Sequence, residues 1–95
     1  MIHVIAIIRV KAGHVDEVEN ELLKLIKPTR ETDEGCIQYD LTKSTDDPSL
    51  FIFVEKWESK ELLDKHASQP HVQNFVNKTD GLLDEFTVHV LTQVA

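Results

Sequence analysis

The chain has 95 residues, 41% hydrophobic and 28% charged, with a formal charge of −7. Those values describe one globular domain, too rich in apolar residues for disorder and too acidic to be drawn to nucleic acid or an anionic membrane. A single cysteine, Cys36, excludes an internal disulfide and a cysteine-based zinc site, which makes a reducing cytoplasm the simplest compartment.

The opening MIHVIAIIRVK is too short to span a membrane and has neither the basic start nor the cleavage site of a signal peptide. Ile2 to Val10 is rich in β-branched residues and reads as a strand. Ile2, Val4, Ala6, Ile8 and Val10 lie on one face, with His3, Ile5, Ile7 and Arg9 on the other. Such a strand is apolar enough to be buried on both sides. Lys11–Ala12–Gly13 turns the chain. His14 to about Thr32 reads as a helix, its stripe formed by Val15, Val18, Leu22, Leu25, Ile26 and Thr29. Asp16 and Glu17 suit its first turn, and Pro28 should kink or end its regular part.

Cys36 to Lys43 alternates as a second strand, with Ile37, Tyr39 and Leu41 on one face. Ser44 to Pro48 is a hairpin loop of turn formers. Leu50 to Trp57 is the third strand, Phe51, Phe53, Glu55 and Trp57 sharing a face. Ser59 can cap a helix to about Ala67. Pro70 suits the first position of another, running to about Asp80 and stopped by Gly81. Leu82 to Asp84 is ambiguous. Phe86 to Val94 is the fourth strand, alternating Val88, Val90 and Thr92 against Thr87, His89 and Leu91.

Residues 1–95 thus form a single domain with the order β-α-β-β-α-β. This is an α+β, ferredoxin-like arrangement, an antiparallel sheet with helices on one face. A domain this small buries only about 60–65% of the surface its unfolded chain exposes, and two of its strands are apolar on both faces. The face without helices therefore needs a partner, and a second copy's sheet is the simplest one, giving a homodimer.

The segment GCIQYDL, the hairpin to FIFVEKW and the run ESKELLDKHASQPHVQNF resemble the antibiotic biosynthesis monooxygenase family. They are similar in particular to its small bacterial quinol monooxygenase branch. The opening VIAIIRVKAG fits the same pattern, so the likeness covers essentially the whole chain. Its most specific parts are Glu55-Lys56-Trp57-Glu58-Ser59, His66 and Pro70-His71. The resemblance implies a dimeric α+β barrel and oxygenation of a small quinol or polyphenol by molecular oxygen, without metal, haem or flavin. The family also contains proteins that process a quorum-sensing signal, and its relatives include haem degraders. Fold is therefore implied more strongly than reaction.

A cofactor-independent oxygenase needs a base for the phenol, a dry aromatic pocket and donors for the developing oxyanion. His66, on a helix face turned towards the sheet, is the candidate base; a partly buried histidine satisfying a carbonyl is the alternative. Trp57 offers a flat wall and an indole N–H for an oxyanion, or else packs a strand end. Tyr39 is a phenolic donor or a core residue. His71, in a first helical turn, is a second donor or acceptor, or a cap residue. Glu55 is a semi-buried carboxylate whose pKa would rise if its face is the covered one; otherwise it pairs with Arg9 across the sheet. Phe53 and Phe75 are pocket wall or core, as is Phe51.

No metal site is expected, because His66 and His71 lack the i, i+4 spacing of a zinc pair. Cys36 reads as a free thiol. Haem degradation is disfavoured, because Ile8 stands where haem degraders of this fold carry Asn. Two rivals remain: a cofactor-free isomerase or tautomerase of a small, phosphorylated or quorum-signal-derived metabolite, and a non-enzymatic dimeric binding module.

Overall fold

The computed structural model describes all 95 residues. Strands β1 (Ile2–Val10), β2 (Cys36–Lys43), β3 (Leu50–Trp57) and β4 (Leu83–Leu91) form one sheet in the order β2-β3-β1-β4, with every neighbouring pair antiparallel. Four helices, α1 (Val15–Leu23), α2 (Ile26–Thr32), α3 (Lys60–Ala67) and α4 (Pro70–Lys78), connect them. This is the ferredoxin-like topology expected from the order of elements. No helix is long and apolar enough to cross a membrane.

The helix expected from His14 to Thr32 is two helices. Pro28 has no N–H for the Lys24 carbonyl, and its ring would collide with that carbonyl. The chain tightens there, Leu25 N–H bonding the Leu22 carbonyl at 3.1 Å, and restarts as α2. Ser59 caps α3 as expected, its Oγ accepting from Leu62 N–H at 3.3 Å, and Pro70 begins α4. The fourth strand starts and ends three residues before the expected bounds. Its extent is set by its partner: Val10 pairs with Leu83 and His3 with Leu91, and beyond Leu91 β1 has almost no backbone left to offer.

Alternation on the helix-covered face holds for β1 and β3, where Val4, Ala6, Ile8, Val10, Phe51, Phe53, Glu55 and Trp57 are all buried. In β2 it fails at one point. The register slips between Cys36 and Gln38, so Ile37 is an extra residue. A bulge of this kind reverses parity: Cys36 faces Trp57 and packs on the core, whereas Ile37 is exposed.

The register lays out the floor beneath the helices. One row across the sheet reads Tyr39, Glu55, Val4, Val90; the next reads Leu41, Phe53, Ala6, Val88. Ala6, at the centre, is the smallest side chain in either row and leaves a hollow between Phe53 and Val88.

Candidate functional site

That hollow is a cavity of about 400 Å³ between the sheet and α3–α4, within the range of small-molecule sites. Tyr39, Phe53, Glu55, Val4 and Ala6 form its floor, and Leu63, His66, Val72 and Phe75 its roof. Lys60 and Asp64 stand at its rim, and Phe86, Val88 and Val90 line the side towards the β4 edge.

His66 reaches the cavity from the last turn of α3. Its Nδ1 lies 2.5 Å from Asp33 Oδ2. The same oxygen lies 2.9 Å from His71 Nε2. The Asp33 side chain is only 3% exposed and that of His66 9%. A carboxylate oxygen between two imidazoles accepts from both, so each histidine presents an N–H to it. His66 therefore carries its proton on Nδ1, and Nε2, which makes no hydrogen bond within the chain, is the lone-pair nitrogen left for the cavity. Burial pushes the His66 pKa below the ordinary histidine value. The hydrogen bond and charge of Asp33 oppose that shift, and His71 adds to it. The ring is thus neutral near pH 7 and able to take a proton.

Three elements make this cluster. Asp33 is the residue that closes α2, its N–H bonding the Thr29 carbonyl at 3.3 Å. Gly35, two residues on, is left-handed, with φ of +81°, and a Cβ there would lie 2.4 Å from Leu62 Cδ1. Its carbonyl accepts from Glu58 N–H at 2.9 Å, tying the Asp33 turn to the start of α3. The break at Ser68–Gln69 between α3 and α4 brings His71 back beside His66, with the rings 6.0 Å apart. Asp33 lies in the turn before β2 and carries no local pattern. Only the convergence of three separated segments picks it out.

Asp33, His66 and His71 also offer one carboxylate and two imidazole ligand atoms within 4.8 Å of one another. Both nitrogens sit at hydrogen-bond distance from a single oxygen. The arrangement is a hydrogen-bonded triad.

Glu55 faces the same cavity from the middle of the sheet. Burial raises its pKa to about 7, and the Trp57 N–H, 2.8 Å from Oε1, holds it below what burial alone would give. Its alternative role as the partner of Arg9 does not hold. Arg9 is on the opposite face, its Nε 2.9 Å from Glu85 Oε1 and its Nη1 3.7 Å from Asp47 Oδ2. Trp57 is fully buried and is not part of the cavity wall. Its N–H is committed to Glu55, and its ring lies under His66 with centroids 4.7 Å apart. It fixes both proton-handling groups from beneath rather than meeting a ligand.

Tyr39 lines the cavity, stacked on Phe53 at 4.7 Å and edge-on to His66 at 5.5 Å. Burial first, then the Glu55 charge, push its phenol well above its ordinary pKa, so it stays protonated. Phe53 and Phe75 line the cavity and belong to the buried core as well. His71 is not on the wall and stands behind Asp33. Burial, followed by the charges of Glu55 and Asp33, raises the Cys36 thiol to about 11, the opposite of what a nucleophile needs.

The fold and this site define a ferredoxin-like domain with an apolar cavity served by an oriented imidazole and a neutral-range carboxyl. The chain belongs to the antibiotic biosynthesis monooxygenase family, whose sequence model matches residues 1–78. It is 34% identical over 83 residues to the Bacillus subtilis protein named "Putative monooxygenase YcnE", covering 87% of this chain and 86% of that one. Among solved structures it resembles PA3566 from Pseudomonas aeruginosa with a TM-score of 0.92 and 32% identity, over 99% of this chain and 94% of the other. Rv0793 from Mycobacterium tuberculosis matches with a TM-score of 0.89 and 29% identity, over 99% and 95%.

Proposed function

We propose that the protein is a cofactor-independent monooxygenase that oxidises a small quinol or polyphenol with molecular oxygen. The observation that carries this reading is His66: Nδ1 fixed by buried Asp33, Nε2 free towards an apolar cavity. His66 takes the phenolic proton, and the phenolate becomes a strong enough reductant to pass an electron to oxygen. Recombination forms the C–O bond; one oxygen atom stays on the ring and the other leaves as water. A quinol plus dioxygen gives a hydroxyquinone plus water, with every electron drawn from the substrate. Tyr39 and the protonated form of Glu55 supply donors to the developing oxyanion. Asp33 orients the base, His71 anchors Asp33, Trp57 supports Glu55, and Phe53 and Phe75 hold the ring.

The sheet face opposite the helices presents Ile5, Ile7, Leu50, Ile52 and Val54, none covered by a helix. A second copy pairing on this face would bury them and give a homodimer; the mass in solution tests it. The free, unreactive thiol suits a cytoplasmic protein.

A second reading rests on Glu55. Two proton-handling groups facing one cavity can move a proton between two atoms of a ligand without oxygen, as an isomerase does. The decisive experiment supplies the purified protein with a hydroquinone panel and follows oxygen uptake. Uptake above autoxidation that disappears in His66→Ala is the expected result. Uptake no faster than buffer alone would remove the oxygenase, and turnover of a ligand under nitrogen would install the isomerase in its place.

A further inference from the structure

The charges around the cavity define what it can accept. Lys60 is the one cation on its lining, and its Nζ is held by both Asp64 oxygens at 3.0 and 3.3 Å. Arg30, on α2, donates to the Tyr39 carbonyl at 3.0 Å and to Asp40 at 2.9 Å. Glu55 and Asp64 line the cavity, and Asp33 lies directly behind His66. No unpaired cation faces the space where a ligand would sit.

We infer that the cavity selects an uncharged hydroxyarene and rejects the same ring system bearing a carboxylate, sulfonate or phosphate. This rests on the function proposed above and specifies its substrate class. The charge balance of the proton transfer carries it. When His66 accepts the phenolic proton, an imidazolium appears beside the new phenolate and in front of Asp33. One negative charge is created together with one positive charge. An anion carried in by the ligand has no such counter-ion, and apolar surroundings make an unpaired charge strongly unfavourable. The phosphorylated ligands that the isomerase alternative includes are disfavoured on the same ground.

The rim supplies a means of reversing the selection. Lys60 and Asp64 are both more than half exposed, so their pair is loose in water. Removing the carboxylate releases an ammonium at the mouth without touching the floor or roof.

The test compares 2-naphthol with 2-naphthol-6-sulfonate under nitrogen, following quenching of the fluorescence of Trp57, the only tryptophan in the chain, with thermal shift as a second readout. The neutral naphthol binds, and the sulfonate binds at least about tenfold more weakly. Asp64→Ala and Asp64→Asn narrow that gap by strengthening sulfonate binding. Equal or tighter binding of the sulfonate overturns the inference, as does binding of neither probe. A gap that both Asp64 variants leave unchanged overturns the charge account of it. Because oxygen is absent, a protein that binds naphthol yet never oxidises a quinol would defeat the oxygenase and leave this selection standing.

Discussion

The two halves of the helix-facing sheet surface have the same alternation and opposite fates. Over β2 and β3, Tyr39, Phe51, Phe53, Glu55 and Trp57 are sealed. Over β4, Phe86, Val88 and Val90 point to the same side, yet they are 49, 48 and 41% exposed. The difference lies above the sheet. α2 packs on β2 and α3 on β3, whereas α4 meets β4 through the Phe75–Phe86 pair and leaves most of that strand's helix-side face open. Apolar alternation thus specifies which face a strand turns towards the helices, and helix placement decides how much of that face loses water. The cavity lies on the boundary, where the sealed half supplies chemistry and the open half supplies access.

The strongest way to break this comparison is to remove the chemistry from the sealed half. His66→Ala should lower turnover by about a hundred- to ten-thousand-fold with the melting curve little changed. Asp33→Asn should cost about a hundredfold or more, because an amide does not impose the same tautomer. Its pH profile separates a positioning role from a structural one. The wild-type acid limb lies below the ordinary histidine value, because the base must be neutral and burial lowers its pKa. Asp33 raises that pKa, so the Asn variant's acid limb should move to lower pH. An unmoved limb would mean that Asp33 does not act through His66.

Next in size is packing. Phe75 and Phe86 face each other across the boundary with ring centroids 6.2 Å apart. Phe75 is 3% exposed, Phe86 about half. Phe75→Ala should cost about 3–5 kcal/mol in denaturant unfolding, and Phe86→Ala less than about 1 kcal/mol. Equal losses would show that the open half is not open in solution.

Much of this was legible in the residues. β1 and β3, the Ser59 cap, the Pro70 start and the inward turn of His66 follow from period, capping and proline chemistry, which are local. What escaped was non-local or depended on a single inserted residue. The bulge at Ile37 looks like ordinary alternation until a partner strand counts the residues. Asp33 is thirty-three positions from His66, and no spacing rule joins a loop carboxylate to a helix imidazole. Alternation shows that Trp57 shares a face with Glu55, Phe53 and Phe51, but not that this face is the helix-covered one nor how deep the ring lies beneath α3, so a support reads as a wall. The apolar run of β4 is legible in the residues; that the helices leave about half of its surface in water is not.

Glu55 gives a smaller effect whose sign is fixed. Its folded pKa is about 7 against an ordinary 4.5. Between those values the folded state holds a proton that the unfolded state has lost, so its contribution to stability falls as pH rises through the window and levels off above it. The total is about 3 kcal/mol. His66, with a lowered pKa, has the opposite slope below pH 6.5, so only the difference between variant and wild type isolates Glu55. Glu55→Gln keeps an oxygen for the Trp57 N–H and removes the titration. It should be more stable than wild type by a larger margin at pH 8 than at pH 5. A margin independent of pH would mean that Glu55 ionises as freely in the fold as outside it.

The smallest stability change belongs to the open half and says most about it. Val88 lies across the sheet from Ala6, on the side of the cavity away from the triad. A residue already half in water loses little when truncated to a polar one, so Val88→Ser should change stability by no more than about 0.5 kcal/mol. Its apolar contact with a bound ring would be lost equally in the ground and transition states, which raises KM and leaves kcat alone. A stability loss above about 2 kcal/mol at a residue that is 48% exposed would require another surface to be covering that strand. The open half would then be an interface, and the Lys60–Asp64 rim would be the cavity's one remaining mouth.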